Sequence, residues 1–171
     1  DALYTKRLVE QGDRVQNQIS SRLQSSYPNL DFRRQGSVSN YTHIRYFSDV
    51  DLLVLIDKYT TLEHPQVPAD IYNGNPIFDL NELREACLRE LKLAFPATTI
   101  DDSGSTSIKL SNGSLICKVD VVASNWYDTI LYNQTKQEHL RGIQVLDREK
   151  MKRNVNYPFL FNYRIEMSDR E

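Results

Sequence analysis

The sequence predicts an α+β domain, and three observations carry that expectation. Two segments repeat apolar residues at helical spacing, one long run is continuously apolar and rich in Leu, Val and Ile, and two later β-patterned runs flank the dipeptide Asn112-Gly113. A length of 171 residues fits one domain, or one and a fragment of another, and is enough to bury a sizeable core.

The first helical stripe is Leu8, Val15, Ile19 and Leu23, with Gln, Arg and Glu between them, and Pro28 closes the segment. Asp31 to Gln35 reads as a short strand leading into Gly36. Asp49 to Asp57 reads as a strand buried on both faces. Lys58 to Phe78 holds Pro65, Pro68, Gly74 and Pro76 without a clear period, and reads as a long surface excursion. A second helix is expected from Asp79, with Asp79 and Glu82 forming a capping box and Leu80, Leu83, Cys87, Leu91 and Ala94 one stripe, up to Pro96. The runs on either side of Asn112-Gly113 form a hairpin, because that dipeptide tolerates the positive φ angles of a tight turn. Gly142 to Leu146 adds a further strand, while Tyr157 to Glu171 does not complete an element.

Composition narrows the function classes. A net charge of −2 lacks the basic excess of a protein that holds long nucleic acid through its phosphates, which leaves small anionic ligands, above all any that arrive with metal ions. Cys87 and Cys117 sit inside apolar patterns and read as small buried hydrophobes, which points to a reducing cytoplasm. No apolar run approaches the roughly 18 residues of a membrane span, and the N-terminus lacks the order of a signal peptide.

The chemistry concentrates in "QGSVSNYTHIRYFSDVDLLVLID", Gln35 to Asp57. On a strand Asp49 and Asp51 project to the same face, close enough to share a divalent ion, while Val50 and Leu52 point into the core. In the later hairpin Ile116, Lys118, Asp120 and Val122 share one face, so Asp120 joins the other two acids if its strand lies beside theirs. Three carboxylates a few ångströms apart are costly without cations, and hard oxygen ligands suit Mg²⁺ or Mn²⁺ with substrate phosphates. Gly36 allows close backbone approach, and Ser37 offers a hydroxyl and an amide. Each feature alone has a plain alternative: a D-x-D pair can be solvated, and a Gly-Ser pair can be a turn. The combination is the stronger signal. Lys118 either offsets the acids, meets a phosphate, or forms a structural ion pair. His43, His64 and His139 lack mutual metal spacing and read as surface or loop residues, Thr42 and Arg45 as turn residues, and Asp101-Asp102 as loop.

The pattern G-S-x11-D-x-D with a distant third aspartate resembles the DNA polymerase β-type nucleotidyltransferase superfamily. "QGSVSNYTHIRYFSDVDLLV" and "SIKLSNGSLICKVDVVAS" are most similar to the bacterial cGAS/DncV-like nucleotidyltransferases, over about Phe32 to Leu146. The resemblance implies a polymerase β-like core, a mixed sheet flanked by helices, that binds a nucleoside triphosphate and two Mg²⁺ ions. Gly36 and Ser37 would then cradle the triphosphate, Asp49 and Asp51 would bridge the metals, Asp120 would complete the metal site beside the attacking hydroxyl, and Gln35 would touch the nucleotide. The implied product is a cyclic di- or trinucleotide signal in antiphage defence. The alternatives are transfer to a protein, a tRNA end or a small molecule, and a nucleotide-binding module without turnover. The family places a helical domain after this core, so the expectation is that residues 1–171 are the core without it, closed in some other way such as by a regulatory protein partner.

Overall fold

The computed structural model describes residues 2–36 and 50–160. The first helix, α1 (Ala2–Arg22), buries Leu8, Val15 and Ile19 as its stripe requires. Gly12 lies under the Arg34 guanidinium, where a Cβ would meet Nη1 at 2.8 Å. Arg34 reaches across the glycine to Asp13 (2.7 Å), Gln16 (2.8 Å) and the Val9 carbonyl (3.3 Å). Arg34 thereby ties α1 to the strand that ends at Gly36.

That strand, β1 (Asp31–Gly36), is antiparallel to β2 (Val50–Leu62). Then come α2 (Pro76–Ala94), β3 (Thr99–Asp101), β4 (Ile108–Ser111), β5 (Val119–Asp128), the short α3 (Ile130–Thr135), β6 (Gly142–Asp147) and β7 (Lys152–Asn156). The sheet runs β1-β2-β5-β4-β3, with β6 also on β5 and β7 on β6. Only the β2–β5 pair is parallel among the described strands, which makes the sheet mixed.

Strand alternation divides the apolar residues between two faces. Val50, Leu52, Val54 and Ile56 of β2, with Val119, Val121 and Ala123 of β5, pack against the stripes of α1 and α2 in the larger core. Leu53, Leu55, Val122, Trp126, Ile143, Val145 and Phe159 form a smaller core on the opposite face. The continuous apolar run of β2 is thus buried on both sides, as expected.

Two boundaries differ from the sequence expectation. β2 extends five residues past the expected end at Asp57, to Leu62, with a register shift against β5 between Ile56 and Thr61. Tyr59 is buried in that shift, donates its hydroxyl to the Pro76 carbonyl (2.9 Å), and lies under the Arg153 guanidinium. A bulge breaks period-two alternation, so the first part of the expected surface excursion is strand. The second helix begins at Pro76, capped by Asn75, whose side chain accepts from the Phe78 amide at 3.1 Å. Asp79 is buried one turn in and accepts from the Tyr72 hydroxyl, so the expected capping box does not form. Asp101, read as loop, closes β3.

Candidate active site

The strand registers assemble one row of side chains. Gln35 on β1 is opposite Asp51 on β2, Asp51 is opposite Asp120 on β5, Asp120 is opposite Lys109 on β4, and Lys109 is opposite Asp101 on β3. Residues paired in register stand on the same face, so Asp51 and Asp120 stand side by side above Leu53 and Val122, on the face away from α1 and α2. Gly36 ends β1 opposite Val50. The structure therefore brings together Gln35, Gly36, Asp51 and Asp120. Ser37 and Asp49, as well as His43, Thr42 and Arg45, lie outside the described residues.

Asp120 is 8% exposed. Its Oδ2 accepts from Lys109 Nζ at 2.9 Å, while its Oδ1 is buried without a hydrogen-bond partner among the described residues. A buried carboxylate oxygen normally has a partner, and an orphan of this kind marks a place where an ion or ligand belongs. Next to this row is a cleft of about 220 Å³ lined by Gln35, Asp51, Leu53, Thr106, Val122, Val145, Asn154 and Asn156. Asn154 and Asn156 alternate onto one face of β7. Thr106 is held by the loop after β3, whose Asp102 and Gly104 carbonyls accept from both Arg84 and Arg148. Burial, and secondly the neighbouring Arg148, push the Arg84 guanidinium below its usual pKa.

The expected strand position of Lys118 is corrected. Lys118 lies before β5, exposed, and it meets β2 through its carbonyl, which accepts from the Val50 amide at 3.1 Å. Ile116 is likewise outside the strand and 54% exposed. The hairpin forms, but not with a two-residue turn. Asn112 and Gly113 do take positive φ angles, 68° and 64°. The connection then continues to Lys118 and buries Leu115, whose amide donates to the Asn112 carbonyl. A tight turn would have set Ser105 opposite Asp120; the longer connection sets Lys109 there. The signal for Lys109 was present in Ile108-Lys109-Leu110, where alternation turns the lysine away from the core, yet only the register names its partner. Thr106, Asn154 and Asn156 carried no comparable signal.

Among the described residues no group of three or more His, Cys, Asp or Glu side chains is placed to hold a metal, and Asp51 with Asp120 supplies two. His64 is exposed and His139 half-buried, apart from this row. Cys87 is buried, which pushes its thiol up to about 12, and Cys117 is half-buried. No described helix is long and apolar enough to cross a membrane.

A mixed sheet with helices on one face, a parallel strand pair carrying in-register carboxylates, and a glycine at the end of the adjoining antiparallel strand define the polymerase β-type nucleotidyltransferase class. No protein-family model matches the chain. It is 39% identical over 97% of its length to the cyclic dinucleotide synthase CdnE of Yersinia aleksiciae, covering 43% of that protein. It is 30% identical over 90% of its length to a c-di-GMP synthase of a Flavobacteriaceae species, covering 48% of it. The solved structure of a STING-associated CdnE c-di-GMP synthase from Flavobacteriaceae sp. superposes with a TM-score of 0.84 at 25% identity, over 99% of this chain and 52% of that one. The chain thus spans about half the length of the curated relatives it matches. It belongs to the bacterial cGAS/DncV-like nucleotidyltransferases.

Proposed function

We propose that residues 1–171 form the catalytic core of a metal-dependent nucleotidyltransferase that joins ribonucleoside triphosphates into a cyclic dinucleotide, releasing pyrophosphate as each bond forms. The observation that carries the reading is the in-register pair Asp51 and Asp120 on parallel strands, with Asp120 Oδ1 buried and without a hydrogen-bond partner among the described residues. The names of the relatives favour a cyclic dinucleotide over a larger ring. One relative of known structure is STING-associated, and on that likeness the proposal extends to a second messenger in antiphage defence, made in the cytoplasm.

Mg²⁺ or Mn²⁺ fits the donor set: two hard carboxylates about one strand spacing apart, and one oxygen that no donor among the described residues satisfies. When bound, the metal would supply positive charge to the triphosphate oxygens and make the attacking hydroxyl easier to ionise. Asp49 and Asp51 would hold the metal that accompanies the triphosphate. Gly36 leaves room for phosphate against the backbone, and Ser37 adds a hydroxyl and an amide. Asp120 orients the incoming ribose hydroxyl and takes part in removing its proton as that oxygen bonds to the α-phosphorus and the bond to pyrophosphate breaks. Gln35 in the cleft, with Thr106, Asn154 and Asn156 along it, offers uncharged donors and acceptors to ribose and base.

The test is to incubate the complete gene product with all four ribonucleoside triphosphates and Mg²⁺ and to identify the products by mass. The expected result is pyrophosphate together with a cyclic dinucleotide. A linear product, a nucleotide attached to protein or RNA, or no pyrophosphate would refute this reading.

A further inference from the structure

The row of side chains across the sheet mixes charges in a particular order: Asp51, Asp120, Lys109, Asp101. Lys109 stands between two acids, and its ammonium lies 2.9 Å from Asp120 Oδ2. The carboxylate of Asp101 is engaged elsewhere, accepting from the Ser103 amide (2.9 Å) and hydroxyl (2.6 Å). Those bonds hold Asp101 below the usual carboxylate range. On the other side, Asp120 has its two oxygens in different states: Oδ2 is tied to the ammonium, and Oδ1 has no partner among the described residues. A carboxylate that is buried, fixed by one oxygen and open at the other presents a single lone-pair direction to whatever lies beside it. Asp51 lies beside it, one strand away.

We propose that Lys109 is a positioning residue for Asp120 with two linked effects, an inference that rests on the reading of this row as the metal-triphosphate site. It fixes the carboxylate so that Oδ1 alone faces the reaction, which keeps Asp120 from turning or binding a cation through both oxygens. As a cation within one strand spacing of the site, it also repels a divalent ion that arrives alone, so that the ion is retained chiefly in company with the negative charge of a triphosphate. Like charges a few ångströms apart at a partly solvated site interact strongly enough to shift binding severalfold. The Lys109 side chain is 52% exposed, so its replacement leaves the core intact and the variants should fold.

The experiment compares the parent with Lys109→Met and Lys109→Arg in the complete gene product. Mn²⁺ binding without nucleotide is measured by electron paramagnetic resonance, and pyrophosphate release is resolved into kcat and KM. Lys109→Met is expected to bind Mn²⁺ alone about three- to tenfold more tightly, while kcat falls about 30-fold or more as Asp120 loses its fixed orientation. Lys109→Arg keeps the charge, so its Mn²⁺ affinity should stay within about twofold of the parent and its turnover exceed that of Lys109→Met. Tighter metal binding with lower turnover is a signature that a merely structural lysine would not give. Weaker or unchanged Mn²⁺ binding in Lys109→Met overturns the proposal, as does an unchanged kcat. A parent that releases no pyrophosphate would sink the proposed function instead, and the Mn²⁺ comparison would then decide the role of Lys109 alone. A parent that binds no Mn²⁺ would overturn both.

Discussion

Replacing Asp120 by asparagine should leave the metal-free protein as stable as the parent or make it more stable, although the residue is almost wholly buried in the central strand. Three terms decide the sign. The carboxylate of Asp51 is about 5 Å away by strand geometry, and at an effective dielectric of about 20 two such charges repel by about 3 kcal/mol. Solvent at the cleft and the partners of each acid reduce that figure. Opposing it is the Lys109 ion pair, whose ammonium is half exposed, so that its loss costs about 1 kcal/mol or less. The neutral amide oxygen can still accept from Lys109, which keeps part of that bond. The third term is the orphaned Oδ1, a polar atom buried without a partner among the described residues in parent and variant alike. The balance is a change between zero and about 2 kcal/mol in favour of the variant. For a domain of this size that is a rise in Tm of up to about 6 °C. Scanning calorimetry in a chelator measures it. A fall of more than about 4 °C would mean that Asp120 serves the sheet and not a ligand, and the argument from its orphaned oxygen would fail.

Removing the cap in Asn75→Ala should cost about 1 kcal/mol, a Tm lower by about 2–4 °C, and calorimetry would detect an unchanged Tm that contradicts the assigned start of α2. Cys117, half-buried, should react with a thiol reagent at pH 8 while Cys87 stays protected until denaturant is added, and two equally fast thiols would contradict the packing of α2. The raised thiol of Cys87 has a sign for stability too. Its folded pKa of about 12 exceeds the ordinary 9, so the native state gains below about pH 9 relative to a chain that ionises there, and it loses that gain as pH rises toward 12. Denaturant titrations at pH 8 and 11 should therefore show a smaller pH-linked loss in Cys87→Ala than in the parent.

The parts of this fold that could be read from the sequence are those set by local periodicity. The stripe Leu8, Val15, Ile19 needed only helical spacing, and Leu52 to Ile56 needed only its unbroken apolar character. Alternation sufficed to put Asp51 and Asp120 away from the helices. What failed was set by distant contacts. The capping pattern at Asp79 and Glu82 was matched in sequence, yet Asn75-Pro76 starts the helix because Tyr72 occupies the Asp79 carboxylate. The strand beyond Asp57 was hidden by a bulge at which Tyr59 lies under Arg153 from far along the chain. Lys109 was missed because the burial of Leu115 lengthens a turn, and a change in turn length moves every cross-strand partner. β7 has a polar sequence, Lys152 to Asn156, with no apolar alternation to announce it, so the asparagines it brings to the cleft appear only in the fold.

The central claim is that Asp51 and Asp120 belong to one metal-triphosphate site but do different work, and one paired measurement bears on it most directly. In the complete gene product, Mg²⁺-dependent triphosphate binding is followed by calorimetric titration and product formation by pyrophosphate release, for Asp51→Asn and Asp120→Asn side by side. The account predicts that both variants lose product by about a hundredfold or more. It predicts that Asp51→Asn also weakens metal-triphosphate binding by more than tenfold, whereas Asp120→Asn leaves it within about tenfold, or 1.4 kcal/mol. Near-parental turnover in Asp120→Asn, or equal binding by both variants and the parent, would contradict it.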